Sequence, residues 1–249
     1  MNTGTIIGCL IVGFLAQMID GALGMAYGVS STTFLKALGI PSAAASASVH
    51  TAEVFTTLVS GVSHWKMKNI DKKLFLNLVI PGVIGGGLGA FVLSSYSADF
   101  LEPIVDVYLI VMGVIIIVRA FVKIQKTLLT GKKVIPVGFV GGLMDAIGGG
   151  GWGPVVTSTM VATGHPPRYV IGSVNTAEFF VTVVQALTFT VFLGIGDYWQ
   201  IILCLAVGGV FAAPLAAYVC TKVKTKTLML VVGIVIVGLN VYNLITCFL

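Results

Sequence analysis

Charge is what this chain most lacks. Of its 249 residues only 9% are Asp, Glu, Lys or Arg, against roughly 25% in an average soluble domain. That leaves too little polar surface to cover a globule, and a soluble enzyme is excluded. Cysteine is sparse as well. Cys9, Cys204, Cys220 and Cys247 show no C-x-x-C spacing, so neither a redox nor a metal site is expected and they read as apolar filler. Residues 1–10 hold no Lys or Arg, so the basic start of a cleaved signal peptide is missing. No nucleotide-binding motif occurs, and no cofactor is expected. The net charge of +5 does not point to nucleic acid, because the basic residues sit in short segments between apolar ones, where they set membrane topology.

What the chain has in quantity is apolar side chains, 57% of the total, and glycine, 31 residues. Apolar runs of about 20 residues are long enough to cross a hydrocarbon core of roughly 30 Å. Full crossings are expected at 44–63, 74–93, 103–122, 169–193, 199–219 and 228–249. Two further apolar stretches, 6–38 and 134–163, are interrupted at 21–28 (Gly-Ala-Leu-Gly-Met-Ala-Tyr-Gly) and at 148–154 (Gly-Gly-Gly-Gly-Trp-Gly-Pro). Glycine costs a helix roughly 1 kcal/mol per residue relative to alanine. Each stretch is therefore expected to be two half-helices with an irregular joint, which a membrane tolerates only where protein or a water-filled cavity satisfies the backbone.

The connections divide by sign. Segments 64–73, 119–133 and 220–227 are basic and are expected on the cytoplasmic side of a cell inner membrane, whereas 94–102 and 194–198 carry only Asp99, Glu102 and Asp197 as charges and face outward. Threading the chain through these assignments makes 134–163 begin and end on the cytoplasmic side. It is expected to be a re-entrant hairpin.

The two broken stretches are copies of one another. Residues 12–57 align without a gap on 137–182, an offset of 125, with 17 identities in 46 positions, where composition alone gives roughly four. Asp20/Asp145, Gly24/Gly149, Gly28/Gly153, Thr51/Thr176 and Glu53/Glu178 are among the identical pairs. The expected fold is an all-α polytopic membrane protein of two inverted-topology repeats, residues 1–123 and 134–249. Each is a glycine-broken re-entrant helix pair plus three transmembrane helices, joined by a basic cytoplasmic linker at 124–133. Inverted repeats with broken helices meeting near the midplane are a transporter architecture.

Few ionisable groups remain at membrane depth: Asp20, His50, Glu53, Asp106, Asp145 and Glu178. A charged side chain at the centre of an inserting helix costs about 2.5 to 3.5 kcal/mol, so each should face a partner or a cavity. Asp20 and Asp145 just precede the glycine breaks, where they either cap the second half-helices or act directly. Glu53 and Glu178 occupy equivalent places on the next crossing, and His50 and Asn175 lie three residues before them on the same face, where they are expected to bind substrate. The expected site is bounded by the two joints, with half-helix N-termini favouring negative charge. Gly24, Gly28, Gly149 and Gly153 let the backbone approach a small anionic substrate. Ser30, Ser31, Thr32, Thr157 and Ser158 offer hydroxyls, and Tyr27 and Trp152 close the site or donate to it. Glu53, Glu178, Asp20 and Asp145 are the candidate proton carriers. Asp106 is expected near the headgroups, and Trp65, Tyr198 and Trp199 at the interfaces.

The paired glycine motifs, the Gly-Ile-Pro and Gly-His-Pro that follow them, and the small-residue helix after each resemble the TauE/SafE family of membrane proteins, whose members include exporters of sulfite and organosulfonates. Residues 145–154 are the closer match, and Gly172-Ser173 resembles the start of the family's Gly-Thr-Ser segment. The chain departs from it at Val174-Asn175-Thr176-Ala177-Glu178 and Val49-His50-Thr51-Ala52-Glu53, where the family continues with Ser-Leu, and in the degraded first motif. The resemblance implies export of a sulfur-containing oxyanion, proton-coupled, by a secondary transporter embedded in the lipid bilayer. The residues themselves leave open a cation or metal transporter using the same carboxylates, a non-transporting assembly factor, and association into a homo-oligomer.

Overall fold

A computed structural model of the chain describes residues 3–96, 98–121, 128–194, 196–219 and 225–247. The parts of the basic segments at 122–127 and 220–224, with Cys220, lie outside the described residues, as do the side chains of Asp99, Glu102, Asp197 and Cys247. All regular structure among the described residues is helical, in the order α1 (Thr3–Leu23), α2 (Tyr27–Ala37), α3 (Ser42–Lys66), α4 (Lys72–Ser95), α5 (Ala98–Arg119), α6 (Ile135–Gly148), α7 (Ser158–Ala162), α8 (Pro167–Phe192), α9 (Trp199–Val219) and α10 (Thr225–Cys247). A π-helical turn, Gly153–Thr157, leads into α7.

Both glycine-rich stretches break where expected. Gly24 (φ 68°) and Gly149 (φ 66°) adopt the left-handed backbone that ends a helix, followed by Ala26 (φ 89°) and Gly150 (φ 149°). Among the described residues, four helices are long and apolar enough to cross a membrane: Thr3–Gly21, Lys72–Ser95, Arg168–Phe192 and Trp199–Ala216. Three of these are expected crossings. The fourth differs from expectation: α1 is longer than half of a hairpin requires, because residues 3–9 are helical whereas the aligned 128–134 hold irregular backbone and a 3-10 turn, Gly131–Val134. α3 departs the other way. It is helical over its expected crossing but is not among the spans, since its Ser and Thr residues, with His50 and Glu53, lower its hydropathy.

The helices pack in exchanged pairs. α1 lies along α9 and α6 along α4; α9 also meets α3, and α4 meets α8; α3 packs on α8, and α5 on α10. Small residues permit this closeness. A Cβ on Gly13 or Gly208 would strike the backbone of Leu205 or Leu10 across the α1/α9 seam, and one on Gly85 or Gly142 that of Phe139 or Gly82 across the α4/α6 seam. Large apolar side chains such as Ile80, Ile84, Leu187, Phe211 and Ile234 face outward, as a lipid-solvated surface requires.

Candidate functional site

The packing brings the two joints into contact with each other. A Cβ on Gly28 would lie 2.5 Å from Gly150 Cα, and one on Gly153 would lie 2.7 Å from the Gly24 oxygen. Each joint is also tied to the other's second half-helix: Thr32 Oγ1 donates to the Gly149 carbonyl (2.5 Å) and Thr157 Oγ1 to the Gly24 carbonyl (2.8 Å). These four residues are repeat mates, so one interaction is made twice with the partners exchanged. Close approach at Gly28 and Gly153, expected to admit a ligand, is used in this closed arrangement for contact between the joints.

Around the joints stand the acids. Asp20, Glu53, Asp145 and Glu178 are all buried and close enough to act on one another electrostatically. Asp145 Oδ1 accepts from the N–H groups of Gly151 (2.7 Å) and Trp152 (2.8 Å), and Oδ2 accepts from Gln185 Nε2 (2.9 Å). It thus does the work of a cap from the preceding half-helix, satisfying N–H groups at the start of the second one, whose own N-cap residue, Trp152, offers no side-chain acceptor. Asp20 accepts from the N–H of Tyr27, the mate of Trp152.

His50 connects the halves. Its Nδ1 lies 2.7 Å from Glu53 Oε2 and 3.8 Å from Asp145 Oδ2, its Nε2 lies 3.1 Å from the Asp145 carbonyl, and its ring stacks parallel to Phe189. A carbonyl only accepts, so Nε2 carries a hydrogen. Nδ1 and the Glu53 carboxyl must then share one proton between them, as imidazole with carboxylic acid or imidazolium with carboxylate. Asn175, in the place of His50, instead donates to Ser60 Oγ (3.2 Å).

One expectation is narrowed and another corrected. Tyr27 and Trp152 are buried with their polar atoms engaged by the protein: Tyr27 OH donates to the Leu205 carbonyl (3.3 Å) and Trp152 Nε1 to that of Val174 (3.2 Å). Each ring fits over a glycine of a neighbouring helix, Gly209 or Gly82. Asp106 does not reach the headgroups. It is 2% exposed and pairs with Lys36 Nζ at 3.0 Å, while Lys36 also donates to Ser42 Oγ (2.7 Å). Lys36, on α2, was not expected among the membrane-depth charges.

Gln185 and Tyr108 were missed as well. Gln185 is a lone amide in an apolar run, a signal the sequence did carry; Tyr108, whose OH donates to the Gly150 carbonyl (3.1 Å), gave none. Of the candidate hydroxyls, those of Ser30, Ser31 and Ser158 are buried without a hydrogen-bond partner. Trp65 and Trp199 are exposed, as interfacial anchors would be.

A profile of the family described as Sulfite exporter TauE/SafE matches residues 9–243. The chain is 43% identical over 242 residues to a "Probable membrane transporter protein YtnM" of Bacillus subtilis (strain 168), covering 94% of this chain and 81% of that protein. It is 24% identical over 211 residues to a "Probable membrane transporter protein YunE" of the same strain, covering 74% of each. No solved structure matches it significantly.

Proposed function

Since this chain belongs to the sulfite exporter TauE/SafE family, we propose that this membrane transporter is a proton-coupled secondary transporter exporting a small sulfur-containing oxyanion, sulfite or an organosulfonate, across the inner membrane. The observation that carries the coupling is the His50–Glu53 pair, which shares one proton beside the contact between the two joints. The unpartnered hydroxyls of Ser31 and Ser158 are the donors that an oxyanion would engage when the joints part. Asp20 and Asp145 hold the second half-helices in place, and Glu53 and Glu178 carry protons. Protonated glutamates remove the repulsion that four carboxylates would otherwise exert on an anion.

The exchanged packing of α1/α9 with α6/α4 is what two inverted repeats, 1–123 and 134–249, would produce, and rocking of one repeat against the other would open the joints to either side. Sulfite flux in proteoliposomes is expected to respond to an imposed pH gradient, and Glu53→Gln and Glu178→Gln are each expected to abolish that response. Unchanged proton dependence in both variants sinks the coupling. The four buried acids leave a second reading, transport of a cation, although among the described residues no group of three or more His, Cys, Asp or Glu side chains is placed to hold a metal ion. Flux of sodium or a divalent cation in the same vesicles, with sulfite inert, would select it.

A further inference from the structure

A second feature lies away from the joints. α3, the turn after it, α4 and α8 enclose a groove of about 640 Å³ on the outer surface of the bundle. Its floor is the crossing of α3 and α8, where a Cβ on Gly61 would sit 3.5 Å from Thr176. Its far wall is Phe75 of α4 against Phe180 of α8, with ring centroids 5.9 Å apart and edge to face. Along α3 the groove runs from Trp65 to Thr57, eight residues or about 12 Å at 1.5 Å per residue. That is most of one leaflet of a hydrocarbon core roughly 30 Å thick.

The polarity of this groove is graded. Its length is apolar, while Lys68 and Lys72 line one end together with Trp65. Among the described residues neither lysine has an ion pair. The nearest acid in sequence, Asp71, turns its carboxylate to the N–H groups of Lys73 and Leu74, capping α4. Trp65 is 73% exposed at the same end, where an indole marks the level of the headgroups. We infer that this groove is a binding site for an anionic phospholipid, with one acyl chain lying between α3, α4 and α8 and the phosphate on Lys68 and Lys72. A partner helix would need an apolar surface throughout and would leave two lysines without counter-charge. An anionic lipid matches both ends of the gradient. The inner chain end would rest beside Thr57, one turn from Glu53, so the lipid would press on the two helices that carry Glu53 and Glu178. The site stands whatever the transported solute.

Tryptophan quenching tests this. The full chain has three tryptophans: Trp65 at the groove, Trp199 on another helix and Trp152 fully buried. Trp199→Phe therefore reports lipid at Trp65, and Trp65→Phe reports lipid at Trp199. Each protein is placed in phosphatidylcholine vesicles with increasing mole fractions of phosphatidylglycerol or phosphatidylcholine brominated on the acyl chains. Each lysine is expected to favour the anionic lipid about fivefold. Quenching at Trp65 should need at least fivefold less brominated phosphatidylglycerol than phosphatidylcholine. Lys68→Gln with Lys72→Gln should bring the ratio to one while keeping quenching by phosphatidylcholine, which shows the fold intact, and Trp199 should show no preference. Equal quenching by both lipids at Trp65 overturns the proposal. So does a preference that survives the double substitution or is shared by Trp199, and so does a Trp65 that neither lipid quenches, since another chain would then cover the groove.

Discussion

Asp145 shows how much one carboxylate does here. With two oxygens it caps the second half-helix through Gly151 and Trp152, fixes Gln185 of α8, and stands 3.8 Å from His50 of α3. Asp145→Ala leaves buried N–H groups without an acceptor, at about 1 to 3 kcal/mol for each such group. Asp145→Asn retains the Oδ1 acceptor and should cost much less. Thermal melting of the purified protein is expected to rank Asp145→Ala well below Asp145→Asn, and equal melting would show that the cap is not what holds the joint. His50→Asn installs the residue that the second repeat carries at this place. It deprives Glu53 of its proton-sharing partner, so the pH profile of uptake is expected to move while the protein stays folded. An unmoved profile would exclude the pair from coupling.

At the scale of elements, the packing rests on places where a side chain is missing. Trp152 fits over Gly82 so closely that a Cβ there would lie 2.5 Å from Trp152 Cη2. Gly82→Ala is accordingly expected to destabilise by about 1 to 3 kcal/mol, read as a lower melting temperature, whereas Gly238→Ala, with open space around it, should be close to neutral. The link between α2 and α5 is a charge pair instead. Lys36→Met removes the counter-charge of buried Asp106 and is expected to cost about 3 to 5 kcal/mol, while Lys36→Met with Asp106→Leu should recover most of that loss. A double variant as unstable as the single one would show that the pair does more than neutralise itself. The sequence exposed the glycines of these seams as a count and a repeat, but it did not say that Gly82 faces Trp152. Nor did it reveal Lys36, which sits among threonines and apolar residues eight positions past Gly28 and finds its counter-charge some 70 residues further along the chain.

For the whole molecule, the basic segments and the 125-residue repeat make a prediction about sidedness. In a variant without native cysteines, Lys68→Cys and Lys132→Cys are expected to react with a membrane-impermeant maleimide from the cytoplasmic side, and Gly194→Cys from the outside. Labelling of all three from one side would overturn the inverted arrangement. The helical fold, the two breaks, the repeat with its 125-residue offset and the family were legible in the amino-acid sequence, because each depends on local composition or on a pattern repeated along the chain. The tertiary structure alone decided that the joints touch each other through Thr32 and Thr157, that Tyr27 and Trp152 are anchors with their donors engaged, and that Asp106 belongs to Lys36. Those outcomes turn on which surfaces meet when α1 pairs with α9 and α6 with α4, and no local pattern encodes the partner of a buried polar group more than a hundred residues away.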